Sequence, residues 1–325
     1  MKLIDRRLAL ASALCLFPAV GTLAQTSDAS DRRIRIVVPF APGGQSDIFA
    51  RLIAQKMTEQ TRQTVVVENR PGAGGTIGAG LVAKSRPDGQ TLLLSDVAMY
   101  TVAPVLQRKL SYSRAELAPV IQVSRAPQLL ITASGSRIKS FNDALKQIRQ
   151  SPGSVNIASS GIGASGHLTL ALMNQMAGTR FEHLPYKGGG AALNDVLGGQ
   201  AELMFIGTPP AMPLLANGRL RALAVTTAQR VPDLPDVPTL GELGIPGFDS
   251  TSGQGVFAAG GTPADVVQRL NGELARIMAL PDVQKRWREL GAEAVSESPA
   301  RFKAWLDSET DKWTQVIRET KISLD

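Results

Sequence analysis

The chain has 325 residues, is 43% hydrophobic and 19% charged, and carries 35 Lys/Arg against 28 Asp/Glu for a formal charge of +7. No basic run and no basic patch interleaved with aromatics accounts for that excess, so nucleic acid is excluded as the expected partner. The single cysteine, Cys15, excludes a disulfide framework and a thiolate metal site.

The first residues set the compartment. Lys2, Arg6 and Arg7 precede an apolar stretch from Leu8 to Leu23, and Thr22-Leu23-Ala24 supplies small residues for cleavage. A signal peptide over 1–24, cut near Ala24, is predicted, and with it export to the periplasm. A membrane anchor would need about 20 apolar residues, whereas Gln25-Thr26-Ser27-Asp28 turns polar at once. Arg6-Arg7 is followed only by Leu8-Ala9-Leu10, which leaves the Sec and twin-arginine routes both open. Cleavage would remove Cys15 and leave a charge of +5, since three Lys/Arg and one Asp lie in 1–24. Residues 25–325 are enough for two domains with cores of their own.

From residue 34 short β-branched runs alternate with helical periods, as βαβ units do. Ile34 to Val38 reads as a strand, Asp47 to Gln60 as a helix with Phe49, Leu52, Ile53 and Met57 on one face, and Thr64 to Val67 as a strand. A helix from Thr76 to Lys84, the turn Pro87-Asp88-Gly89 and a strand at Thr91 to Leu94 complete a parallel, doubly wound unit. A second series follows: strand Leu129 to Ile131, helix Ser140 to Arg149, strand Val155 to Ala158, helix Gly166 to Met176, and strands near Phe181 to Leu184, Leu203 to Ile206 and Leu220 to Val225. From Thr262 the chain reads as helix, with apolar stripes through Leu270, Leu274 and Ile277, through Val283, Trp287 and Leu290, and through Phe302, Trp305, Leu306 and Trp313. At this spacing the tryptophans read as core.

Two glycine-rich turns join a strand to a helix. In Phe40-Ala41-Pro42-Gly43-Gly44-Gln45-Ser46-Asp47 the glycines permit close backbone approach, and Ser46 or Asp47 is placed to cap the helix. The second turn, Ser160-Gly161-Ile162-Gly163-Ala164-Ser165-Gly166-His167, lies in the second series. Free N–H groups and the positive end of the helix dipole favour an anion at each, and a carboxylate fits. In open α/β sheets such turns sit beyond the carboxyl ends of the strands, where ligands bind.

A competing reading stays open on local evidence. Gly161-Ile162-Gly163-Ala164-Ser165-Gly166 is a literal GxGxxG between strand and helix, and Glu182 lies 21 residues after Gly161, about where a ribose-binding acid of an exported dinucleotide-dependent oxidoreductase would stand. Hydrolysis lacks its parts: His167 and His183 are the only histidines, no GxSxG elbow occurs, and no His/Asp/Glu cluster has metal-ligand spacing. No catalytic role and no cofactor is assigned. His167, beside the second turn, is a candidate ligand contact, and His183 reads as structural.

Taken in order, the segments IRIVVPFAPGGQSDIFAR, VVVENRPGAGGTIGA, PDGQTLLL, SSGIGASGHL, HLPYKGGGAALNDVLGGQ, LRALAV, PDVPTLGELGIPGF and GGTP, with a closing helix carrying Glu309 and Trp313, resemble the tripartite tricarboxylate transporter receptors, the Bug-type solute receptors. The resemblance implies an α/β, two-lobed type II periplasmic-binding-protein fold with a ligand cleft between lobes. Lobe one would hold 25–126 plus 252–325 and lobe two 127–251. It further implies a monomeric, non-enzymatic receptor that holds one ligand carboxylate mainly through backbone N–H groups of the two turns, at Phe40, Ala41, Gly43, Gly44, Gln45, Ser46 and Asp47 and at Ser160, Gly161, Ile162, Gly163, Ala164, Ser165 and His167. Delivery would be to membrane permease subunits or to a sensor kinase. Phe40, Gln45, Asp96, Lys187, Phe205 and Thr208 are candidates for reading the far end of the ligand. The chain departs from the family pattern at Gly253, where a tryptophan is usual, at Ala258-Ala259-Gly260-Gly261, and at Ala171, where a glutamate is common.

Overall fold

The computed structural model describes residues 33–106 and 110–320. The expected signal peptide lies outside the described residues. In chain order the elements are β1 (Ile34–Val38), α1 (Gln45–Thr61), β2 (Val65–Asn69), α2 (Thr76–Ala83), β3 (Thr91–Asp96), α3 (Ala98–Thr101), α4 (Ala103–Leu106), β4 (Leu117–Ala133), α5 (Phe141–Gln150), β5 (Asn156–Ser159), α6 (Ser165–Ala177), β6 (Glu182–Pro185), α7 (Gly189–Leu197), β7 (Leu203–Gly207), α8 (Thr208–Ala216), β8 (Leu220–Val225), β9 (Thr251–Ala259), α9 (Ala264–Met278), α10 (Pro281–Glu289), β10 (Glu293–Ala294) and α11 (Pro299–Thr320).

The strands follow the order β2-β1-β3-β9-β4-β7-β5-β6, with β8 and β10 also paired to β4. β1 pairs in parallel with β2 and β3, and β5 with β6 and β7. The join is made by β4. Its residues 117–127 run antiparallel to β9, and its residues 128–133 run antiparallel to β7 and β8. The chain therefore leaves the first sheet along β4 and returns to it along β9, giving a two-lobed architecture. At the crossing the Gln128 N–H donates to Thr226 Oγ1 (3.0 Å) and the Ser250 N–H donates to the Thr226 carbonyl (2.8 Å), which ties the outgoing and returning segments together.

Sequence periodicity anticipates neither the 17-residue β4 nor β9. Pro119 and Pro127 interrupt the strand pattern of β4, since proline cannot donate to a ladder. The register shifts between Pro119 and Ile121, and Pro127 falls where β4 changes partners. β9 is rich in glycine because α11 packs against it. A Cβ on Gly253 would come within 2.6 Å of Trp305 Cη2, so Trp305 occupies the space beside the position where the family resemblance leads one to expect a tryptophan. Periodicity does not anticipate the helices α7 and α8 either, the first for its leading glycines and the second for three prolines at 209, 210 and 213.

Each sheet is buried on both faces. On one face of the first sheet Ile34, Ile36 and Val38 meet Phe49, Ile53 and Met57 of α1 together with Leu270, Leu274 and Ile277 of α9. On the other face Val37, Leu93 and Phe257 meet Phe302 and Leu306 of α11. In the second sheet Leu130, Ile157 and Phe205 turn toward α5 and α6, and Leu129, Ile131 and Met204 toward α7 and α8. The helices α9 and α11 thus cover the two faces of the first sheet. The far end of α11 also reaches α6, since Trp313 and Ile317 cluster with Ala98, Val102 and Leu168.

Trp287 is 1% exposed, stacks on Phe49 with ring centroids 4.7 Å apart, and donates its indole N–H to the Val123 carbonyl at 3.0 Å. Trp287→Ala removes the stack, the hydrogen bond and the volume at once and is expected to cost about 3–5 kcal/mol. Trp287→Phe, which loses mainly the hydrogen bond, is expected to cost about 1–2 kcal/mol. Urea denaturation midpoints of the two variants test this.

Candidate functional site

The turns after β1 and β5 open α1 and α6 onto one partly open cavity of about 40 Å³. Phe40, Gly44, Gln45 and Ser46 line it from the first turn, Ser160, Ser165 and Gly166 from the second, and Gly189 from the start of α7. Asp96, Ser252 and Gln254 close the first-lobe side, and Gln128 with Met204 to Gly207 the second. The volume has room for about three water-sized groups, the size of one carboxylate head.

The walls meet backbone to backbone. The Ala41 N–H donates to the Lys187 carbonyl at 3.0 Å. A Cβ on Gly190 would overlap the Pro42 carbonyl oxygen, and one on Gly207 would overlap Gln45 Oε1. Glycine at these two positions is what lets the lobes approach this closely.

Several polar groups inside are already committed. Ser46 Oγ donates to Gln254 Oε1 (2.6 Å), and Ser252 Oγ donates to Gln45 Oε1 (3.2 Å). Gln128 Nε2 donates to Thr169 Oγ1 (2.6 Å). Asp96 accepts from the Ala98 N–H at 2.9 Å and from Ser165 Oγ of the opposite lobe, and the Ser165 N–H also donates to it. Burial pushes the Asp96 carboxyl above the usual carboxylate range, against those three hydrogen bonds. Gln45 Nε2 is different: it is buried in the lining without a hydrogen-bond partner. Among the described lining residues Asp96 alone is ionisable.

Other residues singled out from the sequence brace the turns from behind. Asp47 accepts from the Gly43 N–H (3.0 Å), Asn69 Nδ2 (2.9 Å) and Arg51 Nε (2.9 Å), so it holds the first turn rather than lining the cavity. Burial raises its pKa, but those hydrogen bonds and the Arg51 charge outweigh burial and hold it below the usual range. In the second turn His167 Nδ1 accepts the Gly163 N–H at 3.1 Å. Its ring stacks on His183 at 3.9 Å, and His183 Nε2 lies 2.7 Å from Ser159 Oγ, which accepts the Gly161 N–H at 3.1 Å. Both rings serve the loop, and neither is in the lining.

The remaining candidates stand outside the cavity as well. Ala41 is engaged with Lys187, Gly161 and Gly163 take positive φ behind the wall, and Ala164 caps α6. Ile162 is 38% exposed and is not in the lining. Lys187 is exposed and takes part through its carbonyl, and Thr208 is buried with its hydroxyl donating to the Gly291 carbonyl at 2.8 Å. Ser252, Gln254, Gln128 and Gly189 were not singled out. Ser252 and Gln254 do carry one signal, alternate polar positions in a strand, but their partners at 45 and 46 are about 200 residues away.

The dinucleotide reading fails on register. Glu182 pairs with Asn156 at the start of β5, whereas the glycine turn follows Ser159 at its end. A ribose-binding acid belongs at the carboxyl end. The turn is also occupied: a Cβ on Gly74 would overlap the Ile162 carbonyl oxygen.

Fold and cleft together define a solute-binding protein of the periplasmic-binding-protein class. Residues 49–322 match the sequence profile of the tripartite tricarboxylate transporter family receptors, and the chain belongs to that family. The periplasmic binding protein BugD superposes with a TM-score of 0.85 at 33% identity, covering 90% of this chain and 99% of that one. A Rhodopseudomonas palustris protein solved with adipate gives 0.86 at 34% over 91% and 99%. MatC from the same organism, with bound malate, gives 0.82 at 32% over 88% and 99%.

Burial pushes His167 down to about 4, and burial together with the neighbouring His167 pushes His183 down to about 3. In an unfolded chain both titrate near 6.5. The unfolded state therefore binds more protons below about pH 6.5, and stability falls by up to about 1.4 kcal/mol per pH unit per histidine from there toward pH 4. Melting temperatures measured from pH 7.5 to 4.5 are expected to drop over this window, and His183→Phe is expected to reduce the slope. An equal slope in the variant would show that other groups carry it.

Proposed function

We propose that the exported chain captures a small carboxylate between its lobes and presents it to membrane permease subunits. The observation that carries the reading is the cavity itself. Two helix N-termini and the unpartnered Gln45 amide face one cavity the size of a carboxylate. The first N–H groups of a helix have no partner within it, and the positive dipole end favours an anion. Adipate and malate in related structures are ligands of this chemistry.

Lobe one is assigned to 25–126 plus 252–325 and lobe two to 127–251, with the hinge where β4 and β9 cross. The signal over residues 1–24 directs the chain to the periplasm. The role is binding, as in the receptor family, and both histidines hold the second turn rather than facing the ligand. A ligand drives closure only by contacts it gains in the closed state, so both turns must reach it.

The reading predicts one-to-one, saturable binding and a raised melting temperature with at least one member of a panel of mono-, di- and tricarboxylates. No shift with any member would end it. Gln45→Ala removes a donor aimed at the ligand and is expected to weaken binding about 10- to 100-fold, as loss of a hydrogen bond to a charged group does. The unliganded melting temperature is expected to fall only modestly, because the amide N–H groups have no partner to lose and the one hydrogen bond removed is that from Ser252 Oγ to Gln45 Oε1. Isothermal titration calorimetry and thermal shift on the same variant check both halves.

A further inference from the structure

The charge inside the cavity has the wrong sign for its proposed ligand. Among the described residues that line it, Asp96 is the only ionisable one, it is 7% exposed, and no cationic side chain shares the lining. Lys187, the nearest lysine in sequence to the wall, is exposed and is not in the lining. Asp96 is the last residue of β3, and it meets the start of α6 across the cleft, where Ser165 donates to it through both its hydroxyl and its backbone N–H. One of the two helix ends that favour an anion is thus already faced by a carboxylate of the chain. A ligand carboxylate entering so small a cavity comes to rest beside it, and two carboxylates at such a distance do not both stay ionised.

We propose that Asp96 makes ligand capture proton-coupled: the ligand carboxylate enters with one proton, which it shares with the Asp96 carboxyl. This rests on the carboxylate reading above and adds to it which form of the site binds. The free state keeps Asp96 accepting from Ala98 and Ser165. In the bound state one Asp96 oxygen carries the proton and donates it to the ligand oxygen, while Gln45 Nε2 donates from the first-lobe side. No bond to carbon changes.

The titratable groups on the elements around Asp96 are held elsewhere. On α1, Asp47 is bound to Arg51, Gly43 and Asn69. On α6, His167 stacks on His183 and accepts from Gly163, and both rings are neutral above pH 5. On β4, Arg125 lies over Trp305 and pairs with Glu297 at 3.6 Å. On α3, Tyr100 stacks on Phe257 with Arg114 over its ring. On α11, Glu309 accepts from the Trp313 indole and Lys312 lies over that ring. The strand beside Asp96, β9, carries no titratable residue. A pH dependence of binding in the neutral range therefore reports Asp96.

The test is calorimetric titration of the exported chain with adipate and with malate from pH 6.5 to 8.5, in two buffers of different ionisation heat. Both probes are fully ionised there, since free carboxyls titrate near 4. The expected result is a Kd that rises with pH toward about tenfold per unit, with uptake approaching one proton per ligand. Asp96→Asn is expected to bind with neither the slope nor the uptake. Ser165→Ala deletes a donor to the ionised carboxyl, so the slope is expected to begin at higher pH, and this variant decides the matter if Asp96→Asn does not fold. Binding that is flat in pH without proton exchange overturns the proposal, as does an unchanged slope in Asp96→Asn or an unshifted one in Ser165→Ala. So does an α-amino acid that binds more than tenfold tighter than its deaminated counterpart without proton exchange, since an ammonium then stands where the proton was placed. Binding without a slope removes this inference alone, whereas no binding by any carboxylate removes the carboxylate reading together with it.

Discussion

Two helices begin at one buried cavity, and the remainder of the cleft answers to that constraint. A helix leaves its first N–H groups without internal partners, and burying polar groups unpaired is costly. Here α1 and α6 bring such ends together from opposite lobes around about 40 Å³. The chain supplies part of the answer itself, through Asp96 at the start of α6 and through Ser46 bound to Gln254 near the start of α1. The unpartnered Gln45 amide marks where its own groups run out. An anionic, oxygen-rich group is what completes the set.

The crossing strands decide which residues can take part. Because β4 leaves the first sheet at 127 and β9 returns at 251, residues from far apart in the chain are delivered to the same floor: Gln128 from one crossing, Ser252 and Gln254 from the other. The same geometry explains the glycines. The loops of the two lobes meet at the cavity, and at Gly190 and Gly207 even a methyl group would strike the opposite wall. The turns that line the cavity are also the turns at which the lobes touch.

Physical signals in the sequence reached most strands and helices of each lobe, though not α7 and α8, because Ile34 to Val38 and the Phe49, Ile53, Met57 stripe need only local periodicity. They reached the two turns for the same reason, since a glycine pair between strand and helix is a local pattern. The crossings were not legible. Pro119 and Pro127 mask β4, and β9 trades side chains for closeness to α11, so that Gly253 and Gly255 are explained only by Trp305 and Phe302 lying over them. Facing was not legible either. Asp47 and His167 sit in the right turns, yet one points back to Asn69 and Arg51 and the other to Gly163, and nothing in a one-dimensional pattern says which side of a loop a side chain takes.

That distinction bears on how a family of such receptors diversifies. Backbone donors at a helix end recognise a carboxylate whatever is attached to it, so the shared turns fix the headgroup and leave the remainder free. On the proposed reading, selection between ligands falls to side chains in the lining, here Phe40, Gln45, Asp96, Met204 and Phe205. Phe40, Met204 and Phe205 set an apolar contour that discriminates only modestly, at about 1–3 kcal/mol per methylene gained or lost. A buried polar group discriminates far more, because a ligand that fails to pair it leaves it unpaired. The charge and hydrogen-bonding capacity at positions 45 and 96, rather than the glycine turns, are therefore where a change of residue would redirect this receptor to a different acid.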